Sequence, residues 1–335
     1  MARRWRAWAL GLASFGMLAT SASAFEPLAF SVVGSGGQVV LRWIGAASAC
    51  PNVQWDEQPM QAMRLRSGEQ ILPAVPSVSR VVDFPVRVCE LAWPQGVRKA
   101  LVGAQQILVN TFRARQGNTV FSGPFAGMHY ASNASEGALM PRLIGCYEAE
   151  LHPFLAQVAQ AGYERVIDIG CAEGYYAVGL ARMLPGCHIH AHDIDESAQQ
   201  ACRQLAQANG VADRVTVAGV FEGAQLARHT AHKTLIVCDI EGAEAQLLDP
   251  RQWPDFARFD LLVEVHECFQ PGLVRQLDAR FAATHTIEWV WPSVCAHREL
   301  PPWVQQLSHL DQLLCIWEWR QGPTPWAIMR SRTAL

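Results

Sequence analysis

Several things are missing from this 335-residue chain, and each absence excludes a class of function. None of its ten cysteines forms a Cys-x-x-Cys pair, so neither a zinc knuckle nor a redox dithiol is indicated. Charge of either sign is not in excess: 27 lysines and arginines stand against 30 acidic residues, for a net charge of −3. That balance supplies neither a basic face for nucleic acid nor an acidic tail. The longest N-terminal apolar run, Ala7 to about Ala19, falls short of the roughly 20 residues that span a bilayer, so no stable membrane span is expected. No G-D-x-H or G-N-H-[DE] signature of a metallophosphatase occurs, and lysine is confined to Lys99 and Lys233.

What is present begins with an export-like segment. Arg3, Arg4 and Arg6 precede the apolar run, and Ala22-Ser23-Ala24 offers a small-x-small cleavage site, so residues 1–24 read as a signal peptide. Residues 25–104 follow as short β-rich runs (Phe30–Val33, Gln38–Ile44, Phe84–Leu91) between Gly-, Ser- and Pro-containing turns, a pattern expected of a small all-β sandwich. Cys50 and Cys89 are either a disulfide or two buried thiols, which spacing alone does not decide. This segment is similar to the β domain that precedes the catalytic domain in some exported metallophosphatases.

Residues 105–140 read as linker and lead-in, with Gly117, Gly123, Pro124 and Gly127. A helix is expected from Pro141 to Ala161, because Leu143, Tyr147, Leu151, Phe154, Leu155 and Val158 recur at helical spacing. Tyr147, Glu148 and Glu150 on this helix are read as solvated or core-packed, with a place bordering the cleft as the other use. From Val166 onward strands and helices alternate, which predicts an α/β domain over 141–335 whose mostly parallel sheet is covered on both faces. The strands are placed at 166–169, 188–193, 215–218, 234–239 and 260–265. Asp195 caps a helix over Glu196–Asn209 that stops at Gly210. Thr286–Trp291, Leu313–Trp319 and Trp326–Met329 are expected to supply an antiparallel closing hairpin.

The stretch on which the rest is organised is Val166-Ile-Asp-Ile-Gly-Cys-Ala-Glu-Gly174, a buried strand and a small-residue turn that lead into a helix beginning near Tyr175. Gly170, Ala172 and Gly174 let a ligand lie against the backbone where the helix presents free N–H groups. The spacing departs from the G-x-G-x-x-G of dinucleotide sites, and Asp168 would repel a pyrophosphate while suiting a ligand that carries an ammonium and a sulfonium. Nineteen residues after Gly174, Asp193 ends the next strand, where a carboxylate accepts both ribose hydroxyls; Ile194 stands beside it. Both spacings point to S-adenosylmethionine.

On these residues the chain resembles the class I S-adenosylmethionine-dependent methyltransferases. Asp239-Ile-Glu-Gly-Ala-Glu244 is similar to the D-[VI]-E-G-A-E signature of their FkbM-like branch, most of whose members are O-methyltransferases. The resemblance spans about 120–330 and departs from the pattern at Ala172, where many members have glycine. It implies a Rossmann-like, doubly wound sheet, S-adenosylmethionine as cofactor, and a hydroxyl acceptor on a sugar or secondary metabolite.

Asp239, Glu241 and Glu244 follow the fourth strand, and Glu264, His266 and Glu267 end or follow the fifth, so such a fold brings both sets to one rim. Asp239 or His266 is the candidate base and Glu241 its neighbour; the three could instead ligate a divalent ion, although no metal is assigned. His188, His190 and His192 alternate along a strand and read as packed side chains rather than metal ligands. The tryptophans at 289, 291, 303, 317, 319 and 326 are read as core filling, with an acceptor-pocket wall as the other use. Two functions follow: an O-methyltransferase, or a non-catalytic module of that fold in an exported protein. The cofactor argues for the cytoplasm, the signal for the periplasm or outside.

Overall fold

The computed structural model describes residues 101–131, 138–293, 299–320, 322 and 324–333, together with the secondary-structure elements found between 28 and 100. The signal segment and Cys50 lie outside the described residues. The chain divides into two compact units between Ala92 and Trp93, with Val33–Gly37 grouped with the second. The first holds β1 (Leu28–Val33), β2 (Val39–Gly45), β3 (Asn52–Val53), β4 (Gln61–Ala62), β5 (Arg64–Leu65) and β6 (Arg87–Ala92). β1, β2, β6 and β5 form one four-stranded sheet in that order, and β3 pairs with β4.

The second unit opens with α1 (Gln95–Gln116), a 22-residue helix that runs straight through the expected boundary at residue 104. Its repeating apolar positions, Leu101, Leu108, Val109 and Phe112, pack into the core, where Phe112 is fully buried. The single helix expected over 141–161 is instead two pieces. α2 (Leu139–Ile144) stops at Gly145, and α3 (His152–Val158) restarts behind Glu148, a left-handed residue with φ 51°, and Pro153 in the first turn. Both pieces still bury the predicted apolar stripe, because Leu143, Leu151, Phe154, Leu155 and Val158 are all in the core.

Alternation follows as expected: β7 (Arg165–Ile169), α4 (Tyr175–Met183), β8 (His188–His192), α5 (Glu196–Ala208), β9 (Val215–Ala218), β10 (Thr234–Cys238), α6 (Glu244–Leu247), β11 (Asp260–Glu264), α7 (Leu273–Phe281) and β12 (His285–Val290). Then come α8 (Pro302–Gln305), α9 (His309–Ile316) and β13 (Trp326–Ser331). The seven strands order as β12-β13-β11-β10-β7-β8-β9, with β13 antiparallel to both of its neighbours. This is the doubly wound, mostly parallel sheet with an antiparallel closure that a Rossmann-like methyltransferase fold requires.

Leu313–Trp319 does not join the closure. Ser308 caps α9 through its side chain, and the helix continues to Ile316, so Leu313–Ile316 of this run packs as a helix beside α1. Gln105 secures it, donating to the carbonyls of Leu314 (2.7 Å) and Trp317 (2.9 Å).

Side-chain alternation splits the core. Val166, Ile189, Leu235, Val237 and Leu262 face the layer of α1 to α5, while Ile167, Ile169, Ile236, Leu261 and Val263 face α7. A strand period of two puts Asp168 on the α4 side, among apolar residues. Register then sets the site, since Cys238 pairs with both Ile169 and Val263. Gly170 is thereby pressed against the backbone of Asp239. At φ 85°, a Cβ on Gly170 would sit 1.6 Å from the Asp239 carbonyl oxygen.

Gly170→Ala should therefore cost about 2–4 kcal/mol from left-handed strain plus backbone overlap. Gly186→Ala, where nothing lies within 4 Å, should stay within about 0.5 kcal/mol of wild type in the same denaturant titration. Equal stability of the two variants would show that the β7–β10 junction tolerates spreading.

Candidate active site

The turn after β7 and the loops after β8, β10 and β11 open at the carboxyl ends of adjacent parallel strands, the place where open α/β sheets bind ligands. A cleft of about 610 Å³ lies there, lined by Gly170, Ala172, Asp193, Ile194, Asp239 and Glu241, with Phe221 and Trp253 on its far wall. Gly170, Ala172, Asp193 and Ile194 of the candidate cofactor residues and Asp239 and Glu241 of the rim therefore share one cavity, whereas Asp168, Gly174 and His266 do not line it. Ile194 is 82% exposed, an apolar face available to a planar ring.

Asp193 does not hang free: its carboxylate accepts the Ala172 N–H at 2.8 Å and the Asp195 N–H at 2.9 Å, tying the turn to the end of β8. Gly174 also serves packing. A Cβ there would meet Cys202 Sγ on α5 at 2.8 Å, so its smallness seats α4 on α5.

Asp168 is 3% exposed and its Oδ2 has no hydrogen-bond partner. Burial, then the charge of Asp193, pushes its pKa up to about 7. An orphaned buried carboxylate oxygen next to an N-terminal helix turn suits a ligand ammonium, so these residues fit the amino-acid end of S-adenosylmethionine.

On the rim, His266 is almost fully buried. Its Nδ1 lies 2.6 Å from Glu244 Oε1, and its Nε2 lies 3.2 Å from Glu241 and 3.7 Å from Asp239. Phe269 stacks on the ring at 5.4 Å. Burial opposes the imidazolium, but the hydrogen bonds to Glu241 and Glu244, with the charges of Asp239 and Glu264, push its pKa up to about 11. His266 is thus the cation of this cluster and holds its proton at neutral pH. Burial, then the charge of Glu264, outweighs His266 and raises Asp239 well above the ordinary carboxylate range. Asp239, Glu241 and His266 present ligand atoms within 4.8 Å of one another and could hold a divalent ion, which would have to displace the imidazolium proton.

Sequence reasoning missed a second acidic group. Arg320 pairs with Glu148 (3.5 Å), Glu150 (3.2 Å), Glu264 (2.8 Å) and Glu318 (2.8 Å). Glu148, read from the sequence as solvated or core-packed, is 1% exposed and hydrogen-bonded to the Tyr176 hydroxyl; burial, then Glu264, pushes its pKa up to about 8. Glu173, inside the turn motif, is buried against Tyr130 and Arg142. A chain break at Gly145 could have warned that the acidic positions beyond it do not share one solvent face. Arg320 had no local signal, because its partners are distant in sequence.

Strain points to the same place. Among the described residues four non-glycines have positive φ: Glu148, Ala172, Glu241 and Trp319. Two line the cleft and two flank the Arg320 cluster, where strained backbone is held by surrounding structure. Of the strand histidines, His192 lines the cleft and contacts the Gly219 carbonyl (2.9 Å), whereas His188 contacts Thr216 Oγ1 (2.8 Å) and His190 packs on His229.

Residues 162–227 match the family profile described as a methyltransferase domain. That match covers the turn and Asp193 but stops before the rim. No curated protein matches the sequence significantly. Similar solved structures include an O-methyltransferase of Streptomyces achromogenes involved in tomaymycin synthesis, in complex with SAM (14% identity, 56% of this chain and 81% of that one, TM-score 0.37). An O-methyltransferase from Bacillus cereus in complex with SAH (13%, 71% and 96%, TM-score 0.38) and the human methyltransferase 10 domain containing protein (14%, 70% and 98%, TM-score 0.39) are also similar. At these values the likenesses carry no argument about activity. Among the described residues no helix is long and apolar enough to cross a membrane.

S-adenosylmethionine affinity should fall as pH drops through about 7, because protonation of Asp168 removes the charge that faces the cationic ligand. Calorimetry should show a loss approaching about ten-fold per pH unit below that point. Asp168→Asn should bind weakly with a flat profile; a wild-type profile flat from pH 8 to 5.5 would take Asp168 out of the site.

Proposed function

We propose that this protein is an S-adenosylmethionine-dependent O-methyltransferase acting on a hydroxyl of a small molecule. The observation that carries the reading is the shared cleft, in which Gly170 and Ala172 of the turn and Asp193 face the same space as Asp239. S-adenosylmethionine would supply an electrophilic methyl group, held by Asp168, the turn, Asp193 and Ile194. The chain's own part is to align the acceptor and take its proton.

Asp239 is the base in this reading. Its raised pKa makes it a better proton acceptor than an ordinary carboxylate, and its Oδ1 has no hydrogen-bond partner. His266 cannot serve at neutral pH, because Glu241 and Glu244 hold it protonated; it positions Asp239 and balances its charge. The Asp239–Glu244 run supports placement in the FkbM-like branch: Glu244 receives the Gly242 N–H (3.1 Å) and orients His266, so this motif builds the rim.

Because the cofactor is made in the cytosol, we place the activity there. The export-like N-terminus favours a second reading, a non-catalytic module of this fold, which binding of S-adenosylmethionine with turnover would refute.

Asp239→Asn should lower turnover by roughly 10²–10⁴ while leaving S-adenosylmethionine affinity nearly unchanged. S-adenosylhomocysteine release should persist in the presence of a chelator. Activity abolished by chelation and restored by Mg²⁺ would instead assign Asp239, Glu241 and His266 to a metal, and full activity in Asp239→Asn would remove it as the base.

A further inference from the structure

A second cavity, of about 650 Å³, opens beside the Arg320 cluster, within the size range of small-molecule sites. Its walls come from Leu101 on α1, Leu310, Leu313, Leu314 and Ile316 on α9, and Trp317. Leu310 and Leu313 are 57% and 42% exposed, and Trp291 at the mouth is 54% exposed. Leaving this much apolar surface together in water is unfavourable, at about 25 cal/mol per Å², and concentrations of it mark binding sites. The wall is also preformed, since buried Gln105 clamps the end of α9 to α1.

Polar groups are confined to one end, where Glu150, Glu318 and Arg320 line the cavity. Arg320 is shared by four carboxylates, so this end is negative in sum. It also touches the reaction rim. Arg320 Nη1 bonds Glu264 Oε1 at 2.8 Å, and the β10–β11 register that pairs Cys238 with Val263 sets Glu264 beside Asp239.

We propose that this cavity is the acceptor site and that the acceptor is a neutral hydrophobic alcohol or phenol, its hydroxyl turned toward the acidic end. The assignment rests on the methyltransferase reading and narrows it away from sugars. A sugar would press several hydroxyls against leucine and isoleucine side chains, at about 1–3 kcal/mol for each polar group left unpaired. An anionic acceptor would meet carboxylates that already share the Arg320 guanidinium.

Calorimetry on the full chain saturated with S-adenosylhomocysteine tests this with three probes: 2-naphthol, its anionic isostere 2-naphthoate, and methyl β-D-glucopyranoside. The expected result is saturable binding of 2-naphthol, at least about ten-fold weaker binding of 2-naphthoate, and no measurable binding of the glucoside. Leu313→Asp, at a partly exposed position that should not disturb folding, should weaken 2-naphthol at least about ten-fold and leave S-adenosylhomocysteine affinity unchanged. Leu310→Asp should do the same. The proposal is overturned if the cofactor product binds but 2-naphthol does not, if the glucoside or 2-naphthoate binds as tightly as 2-naphthol, or if both aspartate variants bind 2-naphthol like wild type. Failure of the wild type to bind S-adenosylhomocysteine at all would overturn the methyltransferase reading itself, and the acceptor assignment with it.

Discussion

The close approach of β7 and β10 at their carboxyl ends governs everything downstream. With Cys238 paired to Ile169, the Asp239 carbonyl passes so near Gly170 that no side chain fits between them. The turn that would receive the cofactor and the loop that carries the acidic rim are therefore one structural unit. β11, paired to the other side of β10, brings Glu264 and His266 alongside. Parallel pairing makes this possible, because every strand in the set ends at the same edge of the sheet.

That convergence leaves a surplus of negative charge. Asp239, Glu241 and Glu244 surround one imidazolium, and Glu148, Glu150, Glu264 and Glu318 surround one guanidinium. Burial of so many carboxylates raises their proton affinity, as Asp239 and Glu148 show. The structure meets the cost with shared cations, a hydrogen bond from Tyr176, and backbone held in left-handed geometry at Glu148, Glu241 and Trp319. Such an arrangement suits a cationic cofactor and a proton acceptor more than it suits stability.

Much of this was legible in local patterns. The five strands from Val166 to Glu264 follow from short apolar runs between helical stretches, and Asp195 caps α5 as its side chain predicts. Other elements were misread for identifiable reasons. Leu313–Trp319 is apolar and aromatic, which suits a strand, but the Ser308 cap and the α1 surface favour a helix. Glu148 and Glu150, read as solvated or core-packed positions of one helix, lie beyond a break at Gly145 that turns the segment inward. Gly174, read as making room for a ligand, also seats α4 against Cys202 of α5, a packing contact no local pattern announces.

The sequence by itself determined the alternation of strands and helices, the turn from Gly170 to Gly174 and the acidic positions at strand ends, because these depend on residue size, periodicity and local hydrogen bonding. Tertiary structure alone decided which charges meet. Arg320 finds Glu148 and Glu150 across 170 or more positions of chain, and His266 finds Glu244 through the packing of β10 against β11. Pairing over such separations is set by sheet order and register, which no local stretch encodes. For that reason the turn and the acidic strand ends could be read from the chain, and the gathering of four carboxylates on Arg320 could not.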